Sequence, residues 1–144
     1  FARKQKPQGY WSETSSPIAH TGLVVLSYLS YGVTHKSVMH KGTEPYMENV
    51  ERALGWLVAQ VGPDGALRDG GRMYDQAAGT YALAEAYTVT KDEQLKEPLQ
   101  RAVKWLIESQ HEAGGWRYNR NEAGDLSVSG WVISALVSAN NSAE

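Results

Sequence analysis

The side chains of this chain that could do chemistry are few. His20 stands in Ile18-Ala19-His20-Thr21-Gly22, Asp75 follows Arg72 and Tyr74 at the head of an alanine-rich segment, and Asp125 precedes Leu126-Ser127-Val128. Arg68, Asp69, Arg72 and Asp75 crowd one connection; Arg117, Asn119, Arg120 and Asn121 crowd another. Such clusters read first as solvated salt bridges, and beyond that as a polar rim round one mouth of the fold. Tyr74, Tyr81, Tyr87 and Trp131 add aromatic faces able to hold a cation, although aromatic residues at helical spacing ordinarily build core. His35 and His40 flank a loop that also carries Lys36 and Lys41, a weak spacing for a metal, and His111-Glu112 reads as an exposed turn. There is no cysteine in the 144 residues, which excludes disulfides, thiolate metal sites and Cys nucleophiles.

These residues sit inside a repeat. Trp105-Leu106, Gln110, Gly114 and Trp116 spell aromatic-Leu-x3-Gln-x3-Gly-x-Trp, and the tail of that pattern already occurs as Gln5-x3-Gly9-x-Trp11. A worn copy keeps Trp56-Leu57 and Gly65 but has Val61 for Gln and Leu67 for Trp. Trp11 to Leu67 is 56 residues and Leu67 to Trp116 is 49; the glycines Gly22, Gly79 and Gly130 follow at 57 and 51. Two landmarks recurring in step define a repeat architecture, with units of roughly 1–33, 34–90 and 91–144.

The Gln-x3-Gly-x-Trp pattern resembles the QW motif of squalene–hopene and oxidosqualene cyclases. Protein prenyltransferase β-subunits and complement-type thioester domains share the same helical-hairpin repeat in weaker form. The resemblance spans nearly the whole chain and implies an all-α fold: a segment of an α/α toroid, with about five alternating outer and inner antiparallel helices. It also implies two sites that can be checked by residue. Cyclases of this type use an Asp-x-Asp-Asp acid just before a run matching Ala77-Ala78-Gly79-Thr80-Tyr81-Ala82-Leu83, where this chain has Ala77 and Ala78 in place of the paired carboxylates. Prenyltransferases hold zinc with Asp-x-Cys and His; here Asp75-Gln76-Ala77 lacks the thiolate, and His20 is the matching His, with the repeat order reversed. No zinc, other metal or cofactor is therefore expected, and no catalytic residue is assigned. The thioester alternative needs a Cys and is excluded.

The elements that must position these groups follow from local chemistry. Ser16-Pro17 opens a first inner helix through Tyr31, apolar on all sides and expected to be buried nearly all round. Thr43-Glu44-Pro45 opens an outer helix with Met47, Val50, Leu54, Leu57, Val58 and Val61 in one stripe, stopped by Gly62-Pro63-Asp64-Gly65. The second inner helix runs from Met73 to Thr88. Thr90-x-x-Glu93 reads as a capping box for the next outer helix, with a kink or restart at Pro98. Asp125 caps a third inner helix, Leu126–Ala139. The motif Gly suits a φ > 0 turn, Gln can serve a neighbouring helix start, and Trp anchors a large apolar face.

Composition excludes further classes. Net charge is −2 with no Lys/Arg cluster, so no nucleic-acid surface is expected. No apolar run reaches the ~18–20 residues of a membrane span, no signal peptide is visible, and the compartment stays open. The first residues fall inside a motif copy, which reads as a piece of a longer protein. The expected function is a cyclase/prenyltransferase-like repeat domain, non-catalytic as it stands, that binds an isoprenoid-like or other hydrophobic ligand, or a protein, at the inner-helix mouth. The expected site is His20, Arg72, Tyr74, Asp75, Tyr81, Asp125 and Trp131. The alternative is a portion of an active cyclase or prenyl-transfer enzyme whose Asp motif lies elsewhere. Edge helices without neighbours should drive homo-oligomerisation.

Overall fold

The helices form where local signals place them. The computed structural model describes residues 2–12, 15–68 and 72–142. Among these are five α-helices: α1 (Pro17–Ser30), α2 (Tyr46–Gln60), α3 (Met73–Thr90), α4 (Glu93–Glu108) and α5 (Leu126–Asn141), preceded by a 3-10 turn at Ala2–Lys4. The described residues form no strand, only the isolated bridges Val33–Val38 and Val61–Leu67. None of the helices is long and apolar enough to cross a membrane.

Asp125 caps α5 as expected, its Oδ1 accepting the Val128 N–H at 2.9 Å. The Thr90/Glu93 capping box does not form. Thr90 is the last residue of α3 and its hydroxyl donates to the Ala86 carbonyl at 2.6 Å. Lys91, at φ 47°, turns the chain at once, so the cap of α4 falls to Asp92, which accepts from the Gln94 N–H. Nor does α4 restart at Pro98. The helix is continuous, and the buried Pro98 ring packs within the apolar stripe of Leu95, Leu99 and Ala102, which offsets the backbone bond it cannot make.

α1, α3 and α5 stand side by side in that order, all pointing the same way. At their starts the Ala19 N–H donates to Asp75 Oδ1 (3.1 Å), and Tyr74 Oη bonds Ser127 Oγ (2.7 Å). At their far ends Lys91 Nζ donates to the Ser142 carbonyl (2.9 Å). α2 and α4 lie on one side of this row. α3 is the centre, buried almost all round, and its Leu83 and Tyr87 share a core with Leu54 and Leu57 of α2 and Leu95 and Leu99 of α4. A second cluster, around Ala77, Leu106, Trp116, Val128 and Val132, joins α3, α4 and α5. α1 is less buried than its composition predicts: Leu23, Ser27 and Ser30 are exposed, because they lie on the side of the row away from the outer helices or at its free edge.

The motif residues make the turns between layers. Gly9, Gly65 and Gly114 have φ of 106°, 88° and 91°, values that favour glycine. Behind each turn the next helix of the row, α1, α3 or α5, clasps the backbone of the motif Trp or Leu. Thr21 Oγ1 accepts from the Trp11 N–H (3.0 Å) and donates to its carbonyl, and Ser129 Oγ does the same for Trp116 (2.9 Å). Gln76 stands in the middle copy, accepting from the Leu67 N–H (2.8 Å) and donating to the Gly65 carbonyl.

The clasp corrects the repeat register. Thr21, Gln76 and Ser129 are 55 and 53 apart, whereas the glycines are 57 and 51 apart. A Cβ on Gly22 would face forward, 2.7 Å from the Ala78 carbonyl of α3; one on Gly79 would face back, between Leu67 of the preceding turn (2.6 Å) and Ile18 of α1 (2.8 Å). Glycines that face opposite neighbours are not equivalent, so the equivalent of Gly22 in α3 is Ala77. The reason is that a helix glycine marks close approach on whichever side it occurs, while a turn-clasping group must stand at one fixed place.

Candidate functional site

The expected site residues separate into two groups. His20, Arg72, Tyr74, Asp75 and Asp125 gather at the N-terminal ends of α1, α3 and α5, because each lies in the first turn or cap of one of these helices. Tyr81 and Trp131 stand further along the row and line a groove of about 410 Å³ with Leu23, Leu26, Glu85 and Val89. The groove lies on the side away from α2 and α4: on a helix of 3.6 residues per turn, Tyr81, Glu85 and Val89 are opposite Leu83 and Tyr87, which enter the core.

Within the first group most side chains have structural partners. Asp75 is 1% exposed and accepts the Ala19 N–H, a donor that has no partner within its own first turn. Burial pushes its carboxyl pKa up, while the Ala19 N–H and the Arg72 and His20 charges pull it back. Asp75 is thus a buried cap lent by α3 to α1, not a member of a solvated salt-bridge cluster. Arg68 pairs instead with Asp64 at 2.9 Å, and Asp69 lies outside the described residues. Asp125 is held below the ordinary carboxylate range by the Val128 N–H and by Ser127. Tyr74 carries the bond to Ser127, and its ring lies 6.1 Å from that of Tyr118. Arg72, exposed, is the residue at which the chain enters α3. His20 borders a separate cleft of about 370 Å³ with Lys4, Trp11, Leu23 and Val24. Tyr87 is a core residue, and Ala77 and Ala78 are buried.

Two other histidines have partners. His35 Nε2 bonds Asp92 Oδ2 at 2.7 Å, which ties the α1–α2 loop to the start of α4 and, with Lys36 at 3.3 Å, holds the Asp92 carboxyl below its usual range. The His40 ring lies 4.7 Å from that of Tyr31. Among the described residues no three His, Asp or Glu side chains converge as a metal site would require.

Glu85 is the charged groove residue that sequence reasoning missed, along with Leu23, Leu26 and Val89. A signal for it existed: Tyr81, Glu85 and Val89 are spaced by four on α3, whose other residues are mostly small or buried. The arrangement offers a concave surface of aliphatic side chains and two aromatic rings, with one carboxylate and the hydroxyls of Ser27 and Ser30, built on three parallel helices. The sequence matches no protein-family model and no curated protein.

Proposed function

We propose that this chain is a binding domain of the cyclase/prenyltransferase-like α/α-toroid type, non-catalytic as it stands, which holds a hydrophobic ligand against its row of inner helices. The observation that carries this reading is the groove of about 410 Å³ in which Leu23, Leu26, Tyr81, Val89 and Trp131 present apolar surface from three different helices. Pockets of this size, apolar with few polar groups, suit small hydrophobic ligands. Glu85 gives the groove a single negative charge, so a neutral or cationic head fits and a diphosphate does not. The active-enzyme alternative draws no support from Asp75, whose oxygen is engaged by Ala19.

Titration with farnesol, farnesylamine and farnesyl diphosphate tests the groove. The alcohol and amine are expected to bind and the diphosphate to bind more weakly. Replacing Tyr81 and Trp131 together with Ala should weaken farnesylamine about tenfold or more, an order of magnitude for ~1.4 kcal/mol of lost contact. Equal affinity in that double variant would show that the ligand sits elsewhere.

A further inference from the structure

The α5 edge of the row repeats, uncovered, a surface that α1 buries. Thr21 and Ser129 are 108 residues apart, and this offset sets Ile18, Gly22, Val25 and Leu29 of α1 against Leu126, Gly130, Ile133 and Val137 of α5. Both sets are spaced i, i+4, i+7, i+11 and so form one helix face. On α1, Ile18 and Val25 are wholly buried and Gly22 meets the α3 backbone. On α5, Leu126, Ile133 and Val137 are 90%, 52% and 54% exposed, and a Cβ on Gly130 would meet nothing within 4 Å.

The outer layer shows the same difference through separate residues. A side chain on Gly9 would collide with the Arg52 carbonyl of α2, and one on Gly65 with the Arg101 carbonyl of α4. Each is the outer helix that follows its motif. Gly114, with the same backbone conformation, has nothing within 4 Å. Gln5 exchanges bonds with Asn49 of α2, accepting from its amide at 2.6 Å and donating to its carbonyl at 2.8 Å, while Gln110 is exposed.

We infer that the α5 edge is a docking surface for a two-helix hairpin of the same repeat type. Its outer helix lays its backbone on Gly114 and offers a carboxamide to Gln110. Its inner helix runs parallel to α5 and presents glycine or alanine to the Gly130 stripe, as Ala78 and Gly79 do to α1. A second copy of this chain docked by its α1 edge fits less well. Its exposed positions on α1 are Leu23, Ser27 and Ser30, in place of the alanine and glycine that α3 sets against Gly22. The inference does not depend on the groove or its ligand.

The test is a fusion in which residues 35–90, carrying the α1–α2 loop, α2 and α3, follow Ser142. The 108-residue offset sets that junction, because it makes Ser142 the equivalent of Thr34. The fused protein is expected to unfold in one cooperative transition, with a midpoint about 5 °C or more above that of the unfused chain. Gly130→Leu should abolish that rise in the fusion, yet leave the midpoint of the unfused chain unchanged or slightly higher. No rise, or a rise that survives Gly130→Leu, would overturn the assignment.

Discussion

The two junctions in the row of α1, α3 and α5 are built differently although they join like helices. Between α1 and α3 the backbones nearly touch at Gly22, the Leu67 and Ile18 side chains fill the space over Gly79, and a buried carboxylate, Asp75, caps the neighbouring helix. Between α3 and α5 the contact is made by side chains, with Val128, Val132 and Ala135 packed on Ala77, and the polar bonds lie at the two ends. The capping differs in parallel, since α1 receives its carboxylate from another helix and α5 carries its own in Asp125. One junction therefore depends on excluded volume and a desolvated charge, the other on ordinary apolar burial and a local cap. Their responses to mutation and pH should diverge.

The largest effect should come from adding volume. Gly22→Leu places atoms against the Ala78 backbone, which cannot rotate away as a side chain would, and is expected to cost about 3 kcal/mol. The same change at Gly130, its equivalent in open space, should be neutral or stabilise by up to about 1 kcal/mol through helix propensity. Urea unfolding of the two variants measures the contrast directly; equal losses would mean the two glycines share an environment.

Next in size is Asp75. Asp75→Ala leaves the Ala19 N–H without its acceptor and should cost about 1–2 kcal/mol. Asp75→Asn keeps an acceptor and removes the buried charge. The folded carboxyl holds its proton more tightly than the unfolded one, so its contribution is present below the ordinary carboxylate range and is lost as pH rises through the elevated pKa. Thermal melts from pH 3 to 8 should show that decline in the parent and its absence in Asp75→Asn. A parallel pH profile for the two proteins would remove Asp75 from the junction's electrostatics.

The smallest effect belongs to Asp125, with the opposite sign. Its folded pKa is depressed by the Val128 N–H and Ser127, so its contribution is present above the ordinary carboxylate range and is lost as pH falls through the lowered pKa. Asp125→Ala should therefore destabilise less than Asp75→Ala, and only at pH values where the parent carboxylate is ionised. A loss undiminished at pH 2 would point to packing in place of capping.

Much of the fold was legible because its signals are local. Pro17, Asp125 and the breaker run Gly62–Gly65 act within a turn of their own position, and the motif glycines adopt the backbone their place in the repeat predicts. The Thr90 capping box misled because which residue caps α4 depends on how tightly α3 hands over to it, and Lys91 compresses that turn to two residues. The glycine register misled for a related reason: a glycine in a helix records a close neighbour without recording on which side.

The sequence by itself determined the helices, their order, the repeat and the absence of thiol chemistry, all of which depend on residue type and short spacing. Only the tertiary structure decided what each polar group does. Asp75 and Asp125 look alike in the chain, yet one is desolvated by another helix and the other is solvated in its own cap, because burial is set by neighbours some 56 residues away, such as Ala19. The groove likewise exists only where α1, α3 and α5 converge, bringing Leu23, Tyr81, Glu85 and Trp131 onto one surface that no single helix contains.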